Sequence, residues 1–215
     1  MARYRGYGAA RALVHLALLL FVARGTPATA AGPLIWAFGD SLTAGYGLQP
    51  ADGFTSQLER ALRKAGVPAT VKNGGISGDT AAQGRARLLW GLRGLGAKPD
   101  LVIVELGAND MLRGLPPAQA AQNLDLILAT LKQRHIEVLI AGMKASPNLG
   151  TEYRHAFDTI YPTLAKRYDA ALYPFFLQGV AGNRALIQAD GLHPNSPGVA
   201  IIVARMVPFV RRALR

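Results

Sequence analysis

The sequence predicts an α/β domain: a three-layer α/β/α sandwich around a central parallel sheet of about five strands. Three observations carry that expectation. Short apolar runs of strand length alternate with stretches whose apolar residues recur at helical spacing. The run Leu101-Val102-Ile103-Val104 is apolar at every position, as a strand covered on both faces requires. Residues able to do chemistry stand just behind several of these runs, where open parallel sheets bind ligands. Strand–helix alternation of this kind builds a parallel sheet with helices on both faces.

The elements follow in order. Leu34-Ile35-Trp36-Ala37-Phe38 is the first buried strand. Residues 54–65 read as a helix, with Phe54, Leu58, Ala61 and Leu62 on one face and Gly66 as its stop. Ala69-Thr70-Val71 is a short second strand. Residues 80–95 form the next helix, with Asp79 as its cap. Leu101–Val104 is the central strand. Pro116-Pro117 opens a helix lined by Leu124, Leu128 and Leu131, and Ile136 to Ala141 is the fourth strand. Residues 151–168 are helical, Leu172-Tyr173 is a short fifth strand, and residues 197–213 close the chain as a helix. Arg205 and Pro208 interrupt the last apolar run, so it reads as amphipathic rather than membrane-spanning.

Residues 1–30 read as a cleaved signal peptide. Arg3, Arg5 and Arg11 form a basic start, residues 12–23 are apolar apart from His15, and Ala28-Thr29-Ala30 has the small-residue cleavage pattern. One domain, residues 31–215, is then expected. The full chain carries a net charge of +11; the leader's four arginines leave 20 basic against 13 acidic residues, or +7. Arg85, Arg87 and Arg93 share one predicted helix and read as a solvated face. No basic stripe interleaved with aromatics points to nucleic acid.

The chain has no cysteine. That excludes disulfides, a cysteine nucleophile, thiolate metal sites and a lipidated N-terminal cysteine. The expected location is therefore periplasmic or secreted, without a lipid anchor. No metal-binding motif such as His-Glu-x-x-His occurs, so neither metal nor cofactor is expected. The expected partner is a small-molecule substrate, with no stable membrane insertion and a monomeric chain.

Four short blocks carry the chemistry. Ser41, in Gly39-Asp40-Ser41-Leu42, lies in a strand-to-helix turn and is the candidate nucleophile; the plainer alternative is a helix-capping serine. The Gly-x-Ser-x-Gly elbow is absent. Asp40 reads as a turn or capping residue, since adjacent side chains diverge. His193, in Asp190-Gly191-Leu192-His193-Pro194, is the candidate base. His135 sits at a helix end and His155 in a polar helical stretch, whereas His193 has an acid three residues earlier. One turn can bring the Asp190 carboxylate to the His193 ring and fix its tautomer. Gly78 and Asn109 are the candidate oxyanion donors, together with the Ser41 N–H: glycine lets a backbone N–H approach closely, and an Asn amide adds a second donor. Either residue alone can equally be an ordinary turn residue.

These blocks resemble those of the SGNH/GDSL hydrolase superfamily, and in particular its bacterial thioesterase I / lysophospholipase L1 / arylesterase group. Gly39 to Tyr46, Ile76 to Thr80, Val104 to Asp110 and Asp190 to Asn195 match in order. Leu112-Arg113-Gly114, Ala156-Phe157, Ile160-Tyr161-Pro162 and Pro174-Phe175-Phe176 match as well. The resemblance implies a flavodoxin-like fold and a serine esterase acting on acyl esters and thioesters. In that reading Ser41, Asp190 and His193 form the triad, and Ser41, Gly78 and Asn109 the oxyanion hole. Ala108 stands where the group often has Gly, which removes no donor.

For the acyl site the sequence offers two apolar stretches. One is Met111-Leu112-Arg113-Gly114-Leu115; the other is Phe175-Phe176-Leu177. Met111, Leu112, Leu115, Phe175 and Phe176 are thus expected to bind substrate, against the plainer reading of core-edge segments. Two other functions remain open at this level: a carbohydrate O-acetyl esterase of the same superfamily, and a non-catalytic lipid-binding protein.

Overall fold

In the computed structural model, Met1, Ala2 and residues 32–215 are described; the expected leader lies almost wholly outside these. The sheet begins with β1 (Leu34–Gly39), whose side chains from Ile35 onward are buried. A short helix α1 (Ser41–Ala44) follows at once, then α2 (Phe54–Lys64). Phe54, Leu58 and Leu62 form the buried stripe of α2, while Arg63 and Lys64 suit the negative end of the helix.

Next come β2 (Thr70–Gly75), α3 (Ala81–Gly94) and β3 (Leu101–Glu105), the last buried along its whole length. The chain continues through α4 (Ala108–Leu112), α5 (Pro117–Gln133) and β4 (Glu137–Ala141). It closes with α6 (Thr151–Asp158), α7 (Ile160–Tyr168), β5 (Ala171–Tyr173) and α8 (Ser196–Ala213). All five strands are parallel, in the order β2-β1-β3-β4-β5. Helix α2 packs against α8, and α3 against α5, giving the two helical layers of a three-layer sandwich. Residues 32–215 make up one unit.

The topology places the site. The chain starts at β1, steps outward to β2, then reverses across β1 to β3. Such a switch point opens a crevice at the carboxyl ends of the strands. Register makes the crevice level: Gly39 pairs with both Gly75 and Glu105. The loops bearing Ser41, Gly78 and Asn109 all leave from that row.

Three local expectations need correction. First, the second strand runs from Thr70 to Gly75, well past Val71. It is an edge strand, so Lys72 and Asn73 are exposed and no apolar run marks them. Second, the cap of α3 is Thr80. Its hydroxyl accepts from the Gln83 amide while the Gln83 side chain accepts from the Thr80 N–H, a capping box. Third, the stretch 151–168 is two helices rather than one. Pro162 has no N–H to offer the Asp158 carbonyl, and the Thr159 hydroxyl turns back to the His155 carbonyl.

Candidate active site

Ser41 is the first residue of α1. Asp40 caps that helix by accepting the Leu42 N–H on Oδ1 at 3.0 Å, and Gly45 ends it in the left-handed conformation. Gly39 has to be glycine. A Cβ there would come within 2.2 Å of the Thr43 hydroxyl and 2.5 Å of the Glu105 carbonyl oxygen.

His193 arrives from the far end of the chain. Its Nε2 lies 2.8 Å from Ser41 Oγ, and its Nδ1 lies 2.6 Å from Asp190 Oδ2. The loop that holds it is closed by local bonds. Asp190 Oδ1 accepts the N–H groups of Leu192 and His193 at 2.9 and 3.0 Å, and the Gln188 N–H donates to the His193 carbonyl. Those two backbone donors hold the Asp190 carboxyl down at about 2, so it is a carboxylate at any working pH. The Tyr46 ring packs on the imidazole, with centroids 4.6 Å apart.

Gly78 has φ +87, a conformation that favours glycine. Its carbonyl accepts from Arg113 Nη2 at 2.7 Å. The N–H groups of Ser41 and Gly78 have no hydrogen-bond partner among the described residues. Asn109, in α4, donates from Nδ2 to Asp40 Oδ2 at 3.1 Å and to the Asp79 carbonyl at 3.0 Å. Both of its amide hydrogens are thus engaged within the protein.

Ser41, Gly78, Asn109 and His193 line a single cavity of about 780 Å³. Of the expected acyl-binding residues, Met111, Leu112 and Phe175 are on its wall. Two are not. Phe176 is buried in the core against Phe54, ring centroids 5.1 Å apart. Leu115 is not on the cavity wall; its backbone carbonyl accepts the Tyr153 hydroxyl. Leu177 and Met143 are on the apolar wall as well, and Lys144 and Arg154 also line the cavity. Phe175 and Leu177 thus face the cavity while Phe176 faces the core.

The sequence missed four supporting residues. Arg87 is no solvated cation: it pairs with Asp79, donates to the Gly39 carbonyl at 2.8 Å and lies over the Phe38 ring. Asp110 accepts the Ala81 N–H at 2.8 Å, tying α4 to the first turn of α3. Tyr161 donates to the Leu106 carbonyl at 3.0 Å. Glu105, wholly buried, receives the Thr43 hydroxyl at 2.7 Å. Glu105 left a signal in the sequence as an acid ending an otherwise apolar strand, and Asp110 and Tyr161 lie in family-matching stretches that show no role for them.

Comparison with known proteins places this architecture. Residues 37–201 match the model of the GDSL-like Lipase/Acylhydrolase family. The chain is 42% identical over 165 residues to Esterase TesA of Pseudomonas aeruginosa, covering 77% of this chain and 81% of that protein. It is 40% identical over 181 residues to Thioesterase 1/protease 1/lysophospholipase L1 of Escherichia coli, covering 84% of each. The crystal structure of AlinE4, an SGNH-hydrolase family esterase, superposes with TM-score 0.73 at 50% identity, covering 86% of this chain and 97% of that one. The protein is an ester-hydrolysing enzyme of α/β/α architecture. It belongs to the GDSL-like lipase/acylhydrolase family.

Proposed function

We propose that the enzyme is a serine esterase that hydrolyses acyl esters and thioesters through a covalent acyl-enzyme. The observation that carries this reading is the relay Ser41 Oγ–His193 Nε2 at 2.8 Å and His193 Nδ1–Asp190 Oδ2 at 2.6 Å. The spacing suits proton transfer, and the aspartate orients the ring. Ser41 Oγ attacks the acyl carbonyl carbon while His193 takes its proton. Asp190 holds the tautomer and stabilises the imidazolium. The imidazolium then protonates the leaving alcohol or thiol, and water activated by His193 releases the acid.

Negative charge develops on the carbonyl oxygen. In this reading it is met by the Ser41 and Gly78 N–H groups and by the Asn109 amide. Asn109 serves if one of its hydrogens is shared between the Asp79 carbonyl and the oxyanion. The apolar wall of Met111, Leu112, Met143, Phe175 and Leu177 supports an acyl chain rather than a sugar. The relatives named as esterase and thioesterase/lysophospholipase support the same substrate class. We further infer that residues 1–30 direct export and are removed, a reading supported by their basic, apolar and small-residue order.

The test is a rate profile on p-nitrophenyl esters from two to sixteen carbons, with Ser41→Ala as the blank. A maximum at medium or long chains, abolished in the blank, is expected. A sharp preference for acetyl overturns the acyl-chain assignment. Full activity of Ser41→Ala overturns the nucleophile.

A further inference from the structure

Directly behind the Ser41 turn lies a pair of acids that the proposed chemistry leaves unused. Asp40 and Glu105 are both wholly buried. They are neighbours: the Asp40 backbone N–H donates to Glu105 Oε2 at 3.4 Å, and each acid perturbs the other's titration. Two full negative charges side by side in a buried site would repel at great cost. The pair therefore holds one proton.

The surrounding donors say where that proton sits. Glu105 Oε2 already accepts the Thr43 hydroxyl at 2.7 Å, the Thr43 N–H at 3.2 Å and the Asp40 N–H at 3.4 Å. Glu105 Oε1 accepts nothing and is fully enclosed. An ionised Glu105 would leave that oxygen as a buried anion without a donor. A proton on it becomes a donor toward Asp40. Asp40 in turn behaves only as an acceptor, taking the Leu42 N–H on Oδ1 and the Asn109 amide on Oδ2.

We propose that Glu105 is a positioning residue: as a neutral acid it donates to Asp40, which keeps Asp40 an anionic acceptor that holds the Asn109 amide at the site. Glu105 itself touches no substrate; it acts through Asp40 and Asn109. The proposal rests on the reading of Ser41 and Asn109 given above. Burial is the main force pushing both acids upward in pKa, and the Asp40 charge raises Glu105 further while the Glu105 side chain lowers Asp40, which agrees with the proton being on Glu105. The charged and titratable neighbours are few. His193 faces Asp40 from the loop before α8, Tyr161 reaches in from α7, and Asp110 lies on α4. Arg87 and Asp79 approach through the Gly39 carbonyl.

The experiment compares Glu105→Gln, Glu105→Ala and Ser41→Ala on one p-nitrophenyl ester across pH 5 to 9. Gln is neutral, keeps a donor for Asp40 and keeps an acceptor for Thr43. It should retain most of the parent kcat, whereas Glu105→Ala should lose about 10²-fold in kcat with KM little changed, the cost of one oxyanion donor. The acid limb of kcat/KM supplies a second readout. If Glu105 is neutral, Gln removes no charge and the limb stays where it was. If Glu105 is ionised, Gln removes a negative charge near His193 and the limb moves to lower pH, which overturns the proposal. Equal losses in Gln and Ala, or no loss in Ala, also overturn it. Where Glu105→Ala does not fold, the Gln profile alone decides. A Ser41→Ala variant that stays active brings down the site reading itself; an inactive one confines any failure to Glu105.

Discussion

Two aspartates of this site, Asp40 and Asp190, meet opposite environments. Asp190 lies on a surface loop, its side chain about a third exposed, and two backbone N–H groups from its own turn hold its carboxyl at about 2. Asp40 is wholly buried at the end of β1, and desolvation pushes its carboxyl up to about 6. The first is built by four consecutive residues, Asp190 to His193, the second of them a glycine. The second is built by residues of β1, β3 and α4 that only the sheet brings together. Local hydrogen bonding makes a dependable anion at little structural cost, whereas a buried anion needs partners drawn from several elements.

The contrast can be tested from the strong side first. Asp190→Asn should keep the loop closed yet present the wrong tautomer to His193, lowering kcat by about 10⁴-fold. Single-turnover kinetics on an activated ester measures this directly. A loss below about tenfold would mean that Asp190 only shapes its turn. Asp40→Asn should do less and do it differently. An Asn at that position puts an NH₂ against the Asn109 amide, donor against donor, so Asn109 is released. The expected fall is about 10²–10³-fold in kcat with KM little changed, the same as for Asn109→Ala. Because both changes break one contact, the double variant should be no worse than either single. Additive losses would separate the two residues.

The smallest effect concerns stability. Glu105, pushed well above its ordinary 4.5, keeps its proton in the folded state at a pH where the unfolded chain has lost it. The unfolded state then binds fewer protons, so this group's contribution falls as pH rises above the ordinary glutamate range. Gln does not titrate. The melting temperature of Glu105→Gln relative to the parent should therefore rise between pH 5 and pH 8. A difference that stays flat across that window would place an ionised Glu105 in the folded protein.

Much of this was legible without coordinates. The alternation of apolar runs fixed the fold class, because burial on both sheet faces demands continuous apolar strands. Asp190 and His193 were readable as a pair because three residues span one turn. Other features were not readable. The second strand extends through Lys72, Asn73 and two glycines, at the sheet edge where Lys72 and Asn73 are exposed, so no apolar run marks its length. Phe175 and Phe176 are chemically identical, yet one lines the cavity and the other packs on Phe54. Arg87 looked like any solvated arginine until the sheet brought Asp79, Gly39 and Phe38 around it.

By itself the sequence determined what depends on neighbours in the chain: the strand and helix periods, the capping and turn glycines, and the Asp190–His193 unit. Only the tertiary structure decided what depends on neighbours in space. It set the 2.8 Å approach of His193 to Ser41 across 152 residues, the direction each aromatic faces, and the burial of the acids behind Ser41. The reason is physical: desolvation and long-range hydrogen bonding belong to the packed core, and no stretch of sequence carries them until the core has formed.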